Sequence, residues 1–133
     1  MSKSDGSCVI HLAEAQASIP GPAGEHAISF LQRGTLNTML SLGRFAPLPR
    51  PTTPHAQDEV YVVMYGRGVF FHDGKRDSFE AGDLLFVAAG TEHRFEDFTE
   101  DLAVWVIFYG PPWRRGPITV HGIEASAGFS CAA

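Results

Sequence analysis

From His26 onward, short runs rich in Val, Ile, Leu, Phe and Tyr are broken at close intervals by glycine and aspartate. Runs of this length, bounded by turn-forming residues, predict strands rather than helices. The pattern places strands at Ala27 to Leu31, Leu36 to Phe45, Glu59 to Tyr65, Gly68 to His72, Arg76 to Phe79, Asp83 to Val87, Glu92 to Asp97, Leu102 to Tyr109 and Ile118 to Ile123. Asp73 followed by Gly74 is the strongest hairpin signal, because a two-residue turn with positive φ at both positions favours that pair. Ahead of the strands lie an apolar run from Cys8 to Leu12 and an Ala-rich stretch at Ala13 to Ser18 that suits a turn of helix. Pro20, Gly21 and Pro22 then forbid both regular helix and central strand, which separates an N-terminal arm from the body. Between Ala46 and Pro54 four prolines in nine residues impose an extended connection that delivers the chain to His55. The expected organisation is an arm at 1–25, an all-β barrel or jelly roll at 26–123 and a tail at 124–133.

Composition narrows the partners. The 133 residues match the size of one domain with a core of its own. A net charge of −5 with only ten Lys and Arg provides no basic surface for nucleic acid or anionic membrane. Apolar runs stop well short of a membrane span, and the first residues lack the charged-then-apolar order of a secretory signal, so the expected location is cytoplasmic. Cys8 and Cys131 are too few for a disulfide scaffold and read as free thiols without a catalytic role.

Candidate chemistry lies in two segments, His55 to Gly66 and Gly82 to His93. They carry two imidazoles and a carboxylate, His55, Glu59 and His93, each beside a glycine turn and a strand-like run. That is how a small β-barrel assembles a metal site in its mouth. Glu59 opens an apolar run, and a carboxylate entering a core needs a cation or donors. A metal or an arginine such as Arg94 meets that need. Residues four apart on a straight strand lie about 13 Å apart, so His55 and Glu59 can share an ion only if residues 56 to 58 bend. Gln57 in that bend has three open roles: filling a coordination site, orienting a ligand, or facing water. By alternation Tyr61 shares the face of Glu59, and Phe95 that of His93, making both candidates to line a pocket. Phe70, Phe86 and Trp105 read mainly as core. His11, His26, His121 and His72, the last at the Asp-Gly hairpin, read as solvated.

These residues resemble a small single-domain cupin over roughly 35 to 110. Glu59 and Gly66 match the E-x6-G end of the first cupin motif, with His55 in the place of its second histidine. In the second motif Gly82, Gly90 and His93 fall in their places, while Ala88 stands where proline is usual and Asp97 where asparagine is usual. Thr53 occupies the position of the first histidine. The resemblance implies a double-stranded β-helix, or jelly-roll barrel, with an N-terminal arm. It also implies a divalent transition metal (Fe, Mn, Zn or Ni) held by His55, Glu59 and His93, with Gln57 and Thr53 as weaker oxygen donors nearby. A small-molecule ligand and a homodimer, with the arm or Ile118 to Ile123 exchanged as edge strands, follow from the same likeness. Three activities fit: a metal-dependent dioxygenase or isomerase acting on a small oxygenated molecule, a non-catalytic sensing cupin, and a metal-free sugar epimerase-like cupin using a histidine and a tyrosine.

Overall fold

The apolar runs become antiparallel strands in the computed structural model, which describes residues 6–19, 27–43 and 56–111. One short helix, α1 (Leu12–Ala17), precedes β1 (Ala27–Arg33), β2 (Leu36–Leu42), β3 (Asp58–Tyr65), β4 (Arg67–His72), β5 (Lys75–Glu80), β6 (Leu84–Val87), β7 (His93–Glu96) and β8 (Ala103–Tyr109). Among the described residues the strands form two sheets, ordered β1-β2-β8-β3-β6 and β5-β4-β7. The sequence places all eight within a few residues of their observed ends. The expected strand at Ile118 to Ile123, the tail, the proline-rich connection and Cys131 lie outside the described residues, and so do His26, Thr53, His55 and His121.

The two sheets face one another across a shared core. Tyr61 and Val63 of β3, Val87 of β6, and Val104 and Val106 of β8 meet Phe70 of β4 and Phe79 of β5, with Phe95 of β7 packed against them. Burial along β3 alternates strictly: Glu59, Tyr61 and Val63 point inward, while Val60, Val62 and Met64 are half-buried on the outer face. Both faces of β8 are covered, since Ala103 and Val104 are both buried. That double burial is why its sequence is almost continuously apolar instead of alternating. The outer cover comes from α1, whose Ala15 packs with Ile19, Leu40, Leu42 and Ala103 in a second cluster. The N-terminal segment read as an arm is therefore docked on the large sheet over residues 10 to 19. No helix among the described residues is long and apolar enough to cross a membrane.

Two turns set the register around the site. Asp73 and Gly74 both adopt positive φ, 48° and 77°, joining β4 to β5 in register from His72 opposite Lys75 to Arg67 opposite Glu80. Gly66, between β3 and β4, has φ +91°, and a Cβ there would lie 2.8 Å from the Leu102 Cα. The 98–102 loop closes onto that glycine, with the Thr99 N–H donating to the Arg67 carbonyl at 2.9 Å. The glycine of the E-x6-G pattern thus holds the place where β3 leaves one sheet and β4 begins the other.

Candidate functional site

Glu59, Tyr61 and His93 come together from opposite sheets. Glu59 and Tyr61 project inward from β3, His93 from the first position of β7, and all three are buried. The Tyr61 hydroxyl donates to Glu59 Oε2 at 2.6 Å. His93 Nε2 lies 3.1 Å from the same hydroxyl oxygen and 3.2 Å from Glu59 Oε1. On the other edge of the ring, Nδ1 lies 2.9 Å from the Thr91 carbonyl oxygen. A carbonyl only accepts, so Nδ1 carries a proton and Nε2 is the nitrogen presented to the carboxylate.

Electrostatics follow from that arrangement. Burial alone pushes the His93 imidazolium down, but the hydrogen bonds to the Glu59 carboxylate and the Thr91 carbonyl, together with the Glu59 charge, outweigh it. The net shift is upward from the ordinary 6.5. Tyr61 is pushed far above the ordinary phenol value, first by burial and then by the charge and hydrogen bond of Glu59. Both effects favour the neutral hydroxyl, which donates to Glu59. A bare Nε2 lone pair facing a carboxylate oxygen at 3.2 Å repels it. A proton on either atom, or a cation between the two, removes that repulsion.

The donor set admits a metal ion. Neighbouring ligands at metal–ligand distances of about 2.0–2.2 Å are roughly 3.0 Å apart in an octahedron and about 3.4 Å apart in a tetrahedron. The observed Nε2 to Oε1 distance of 3.2 Å falls between them. A ligating histidine with its second nitrogen donating to a backbone carbonyl is the usual outer-shell arrangement, and Thr91 supplies it. The described residues contribute two such donors, and among them no group of three His, Cys, Asp or Glu converges. His55, expected as the third, and Thr53 lie outside the described residues.

The remaining expected site residues take distinct places. Phe95 meets the Tyr61 ring edge to face at 4.9 Å, and Phe70 lies 5.8 Å from Tyr61 and 6.3 Å from His93, so aromatic carbon walls the network. Gln57 is held by the backbone: its Nε2 donates to the carbonyls of Thr35 at 3.0 Å and Gly110 at 2.8 Å. That ties the start of β3 to the β1–β2 turn and to the end of β8. Only Oε1 of the amide is left to a ligand. Asp58 braces the same corner by accepting from the Ala89 N–H at 3.0 Å.

Two expectations are corrected. Arg94 does not reach Glu59. Its guanidinium lies over the Phe71 ring at 4.0 Å and bonds Glu96 at 2.7 Å. Arg94 alternates with the inward His93 and Phe95 on β7 and so faces outward, and Arg76 completes the cluster on Glu96 at 2.9 Å. Among the described residues the partners of Glu59 include Tyr61 and His93 instead. His72 is not merely solvated at the hairpin either: its Nε2 meets Asp77 Oδ2 at 2.6 Å, and its ring stacks on Phe70 at 5.2 Å. Alternation from Phe70 on β4 and from Phe79 on β5 is the signal that points both residues inward. The adjacent turn masks it in the sequence.

Comparison with known proteins agrees with this architecture. The family model for the cupin domain matches residues 45–109. An uncharacterised protein of Streptomyces coelicolor is 40% identical over 76 residues, which cover 54% of this chain and 71% of that protein. A cupin-2 domain-containing protein from Shewanella frigidimarina superposes with a TM-score of 0.55 at 18% identity, covering 78% of this chain and 94% of that one. The DMSP lyase DddQ from Ruegeria pomeroyi gives 0.52 at 17% identity, over 63% of this chain and 46% of that chain. At such identities the structural likenesses speak to the fold alone.

Proposed function

The chain belongs to the cupin family, and from that premise we propose that it holds a divalent transition metal through His55, Glu59 and His93 and acts there on a small oxygenated molecule. The observation that carries this reading is the convergence of His93 Nε2 and Glu59 Oε1 at 3.2 Å in a buried site, with the tautomer set by Thr91. A bound ion would supply a Lewis acid that polarises an oxygen of the ligand. Tyr61 keeps its proton and offers a hydroxyl beside the donors, able to hydrogen-bond a ligand oxygen when it leaves Glu59. Phe70 and Phe95 exclude water on one side and strengthen the electrostatics of what remains.

One contact favours a second reading. The Tyr61 hydroxyl lies 3.1 Å from His93 Nε2, so a histidine and tyrosine pair could exchange protons with a ligand without a metal. Elemental analysis of protein purified without a chelating tag separates the two. A first-row metal close to one per chain, lost in His93→Ala and kept in His11→Gln, is expected. A metal content near zero that stays there after incubation with iron, manganese, zinc and nickel salts rejects the metal reading and leaves the proton-exchange one.

A further inference from the structure

The inner face of the small sheet carries a second histidine–carboxylate pair at the same end of the barrel. Phe70 and Phe79 are buried in the shared core, so His72, two positions after Phe70 on β4, and Asp77, two before Phe79 on β5, lie on the inward side of their strands. In register His72 stands opposite His93 of β7, and Asp77 opposite Phe70. Residues directly opposite on neighbouring strands have Cβ atoms about 4.5–5.5 Å apart. Across β5, β4 and β7 the inner face therefore presents Asp77, His72 and His93, with Glu59 and Tyr61 facing them from β3. Phe70 touches both imidazoles, stacked on His72 at 5.2 Å with 20° between planes and tilted against His93 at 6.3 Å.

The two histidines differ in access. The side chain of His93 is 1% exposed, that of His72 20% and that of Asp77 45%. His93 thus belongs to the floor and His72 to the rim. The 2.6 Å contact places His72 Nε2 against an Asp77 oxygen, so Nε2 carries the proton and Nδ1, on the opposite edge of the ring, is the basic nitrogen. An imidazole fixed by a carboxylate at one nitrogen, with the other left for a reacting group, is the arrangement of base and orienter found in acid–base and nucleophilic sites. The Phe70 stack holds the plane of the ring as well.

We propose that His72, oriented by Asp77, is a second proton-exchanging group of the barrel mouth, serving a small ligand whose oxygen is seated at Glu59, Tyr61 and His93. This rests on the reading of that mouth as the ligand site. The ligand class is a small molecule bearing a hydroxyl, or a C–H beside a carbonyl. Its proton passes to His72 Nδ1, the bonding electron pair stays on the ligand, and Asp77 offsets the imidazolium charge. Return of the proton to the ligand closes the cycle, with no oxidant or reductant required.

The test uses full-length protein and p-nitrophenyl acetate, an ester cleaved by attack of an accessible unprotonated imidazole nitrogen, here His72 Nδ1. Nitrophenolate release at neutral pH should fall about tenfold or more in His72→Gln. It should fall by a smaller factor in Asp77→Asn and stay unchanged in His11→Gln. Long-range 1H–15N spectra of the imidazoles should show His72 protonated at Nε2, a preference lost in Asp77→Ala. Zinc uptake, measured by calorimetry with the metal alone, should be the same in His72→Gln as in the parent and absent in His93→Ala. Hydrolysis within twofold of the parent in His72→Gln overturns the proposal. Loss of zinc by a folded His72→Gln also overturns it, by making His72 a metal ligand. His72-dependent hydrolysis in a protein that takes up no zinc supports the acid–base pair while removing the metal reading of the floor.

Discussion

Tyr61 is the residue on which the buried network turns, because its single hydroxyl proton is committed to Glu59 while its oxygen lies beside His93. Tyr61→Phe keeps the ring packed against Phe95 and removes only the hydroxyl. Hydrogen bonds to charged groups contribute about 1.5–3 kcal/mol, so urea unfolding should show a loss in that range. A loss below about 0.5 kcal/mol would mean that water replaces the hydroxyl without strain. His93 gives a pH signature. Its folded pKa is raised above the ordinary 6.5, so the protonated ring favours the folded metal-free protein. That contribution is fully present below the unfolded value near 6.5 and disappears as pH rises through the higher folded value. Stability of the metal-free protein, measured by urea midpoint, should therefore fall with rising pH across that window, and the slope should vanish in His93→Gln. A slope unchanged in that variant would assign the effect to another group.

At the scale of the element, the link between β3 and β4 decides how the site-bearing strands are fixed. Gly66 has φ +91° and its missing Cβ leaves room for Leu102, whereas Gly34 at the β1–β2 turn, with φ +58°, meets nothing within 4 Å among the described residues. Forcing an L side chain into such a conformation costs about 1–3 kcal/mol, and collision with a neighbouring backbone adds to that. Gly66→Ala should therefore destabilise more than Gly34→Ala in thermal or urea unfolding. Equal losses would show that the 98–102 loop retreats freely. The β4–β5 hairpin was legible in Asp73 and Gly74 because its turn chemistry is local. Alternation places His72 on the face of Phe70, but that this face is the inward one depends on which side of β4 meets β3, a contact between residues distant in the chain.

For the whole molecule, stability is divided between the core enclosed by the two sheets and the cluster under α1. Ile19 is 2% exposed in that second cluster. Truncating a buried isoleucine to alanine costs about 2–5 kcal/mol, so Ile19→Ala should lower the unfolding free energy by that order while leaving metal content per folded chain unchanged. A loss near zero in urea unfolding would show that the helix does not cover the sheet in solution. The docking follows from β8: a central strand apolar on both faces needs cover outside as well as inside, and the N-terminal segment provides part of it.

The positions of the eight described strands, the all-β class and the identity of Glu59 and His93 as site candidates were determined by the sequence alone. Alternation, turn residues and motif spacing act over a few residues and are written directly into the chain. The tertiary structure decided which groups meet. It gave Tyr61 to Glu59, turned Arg94 outward onto Phe71 and Glu96, and engaged the Gln57 amide with two backbone carbonyls. It also set the His72–Asp77 pair on the inner face beside His93. Each of those outcomes depends on sheet pairing and on the facing of two sheets, which no local pattern encodes.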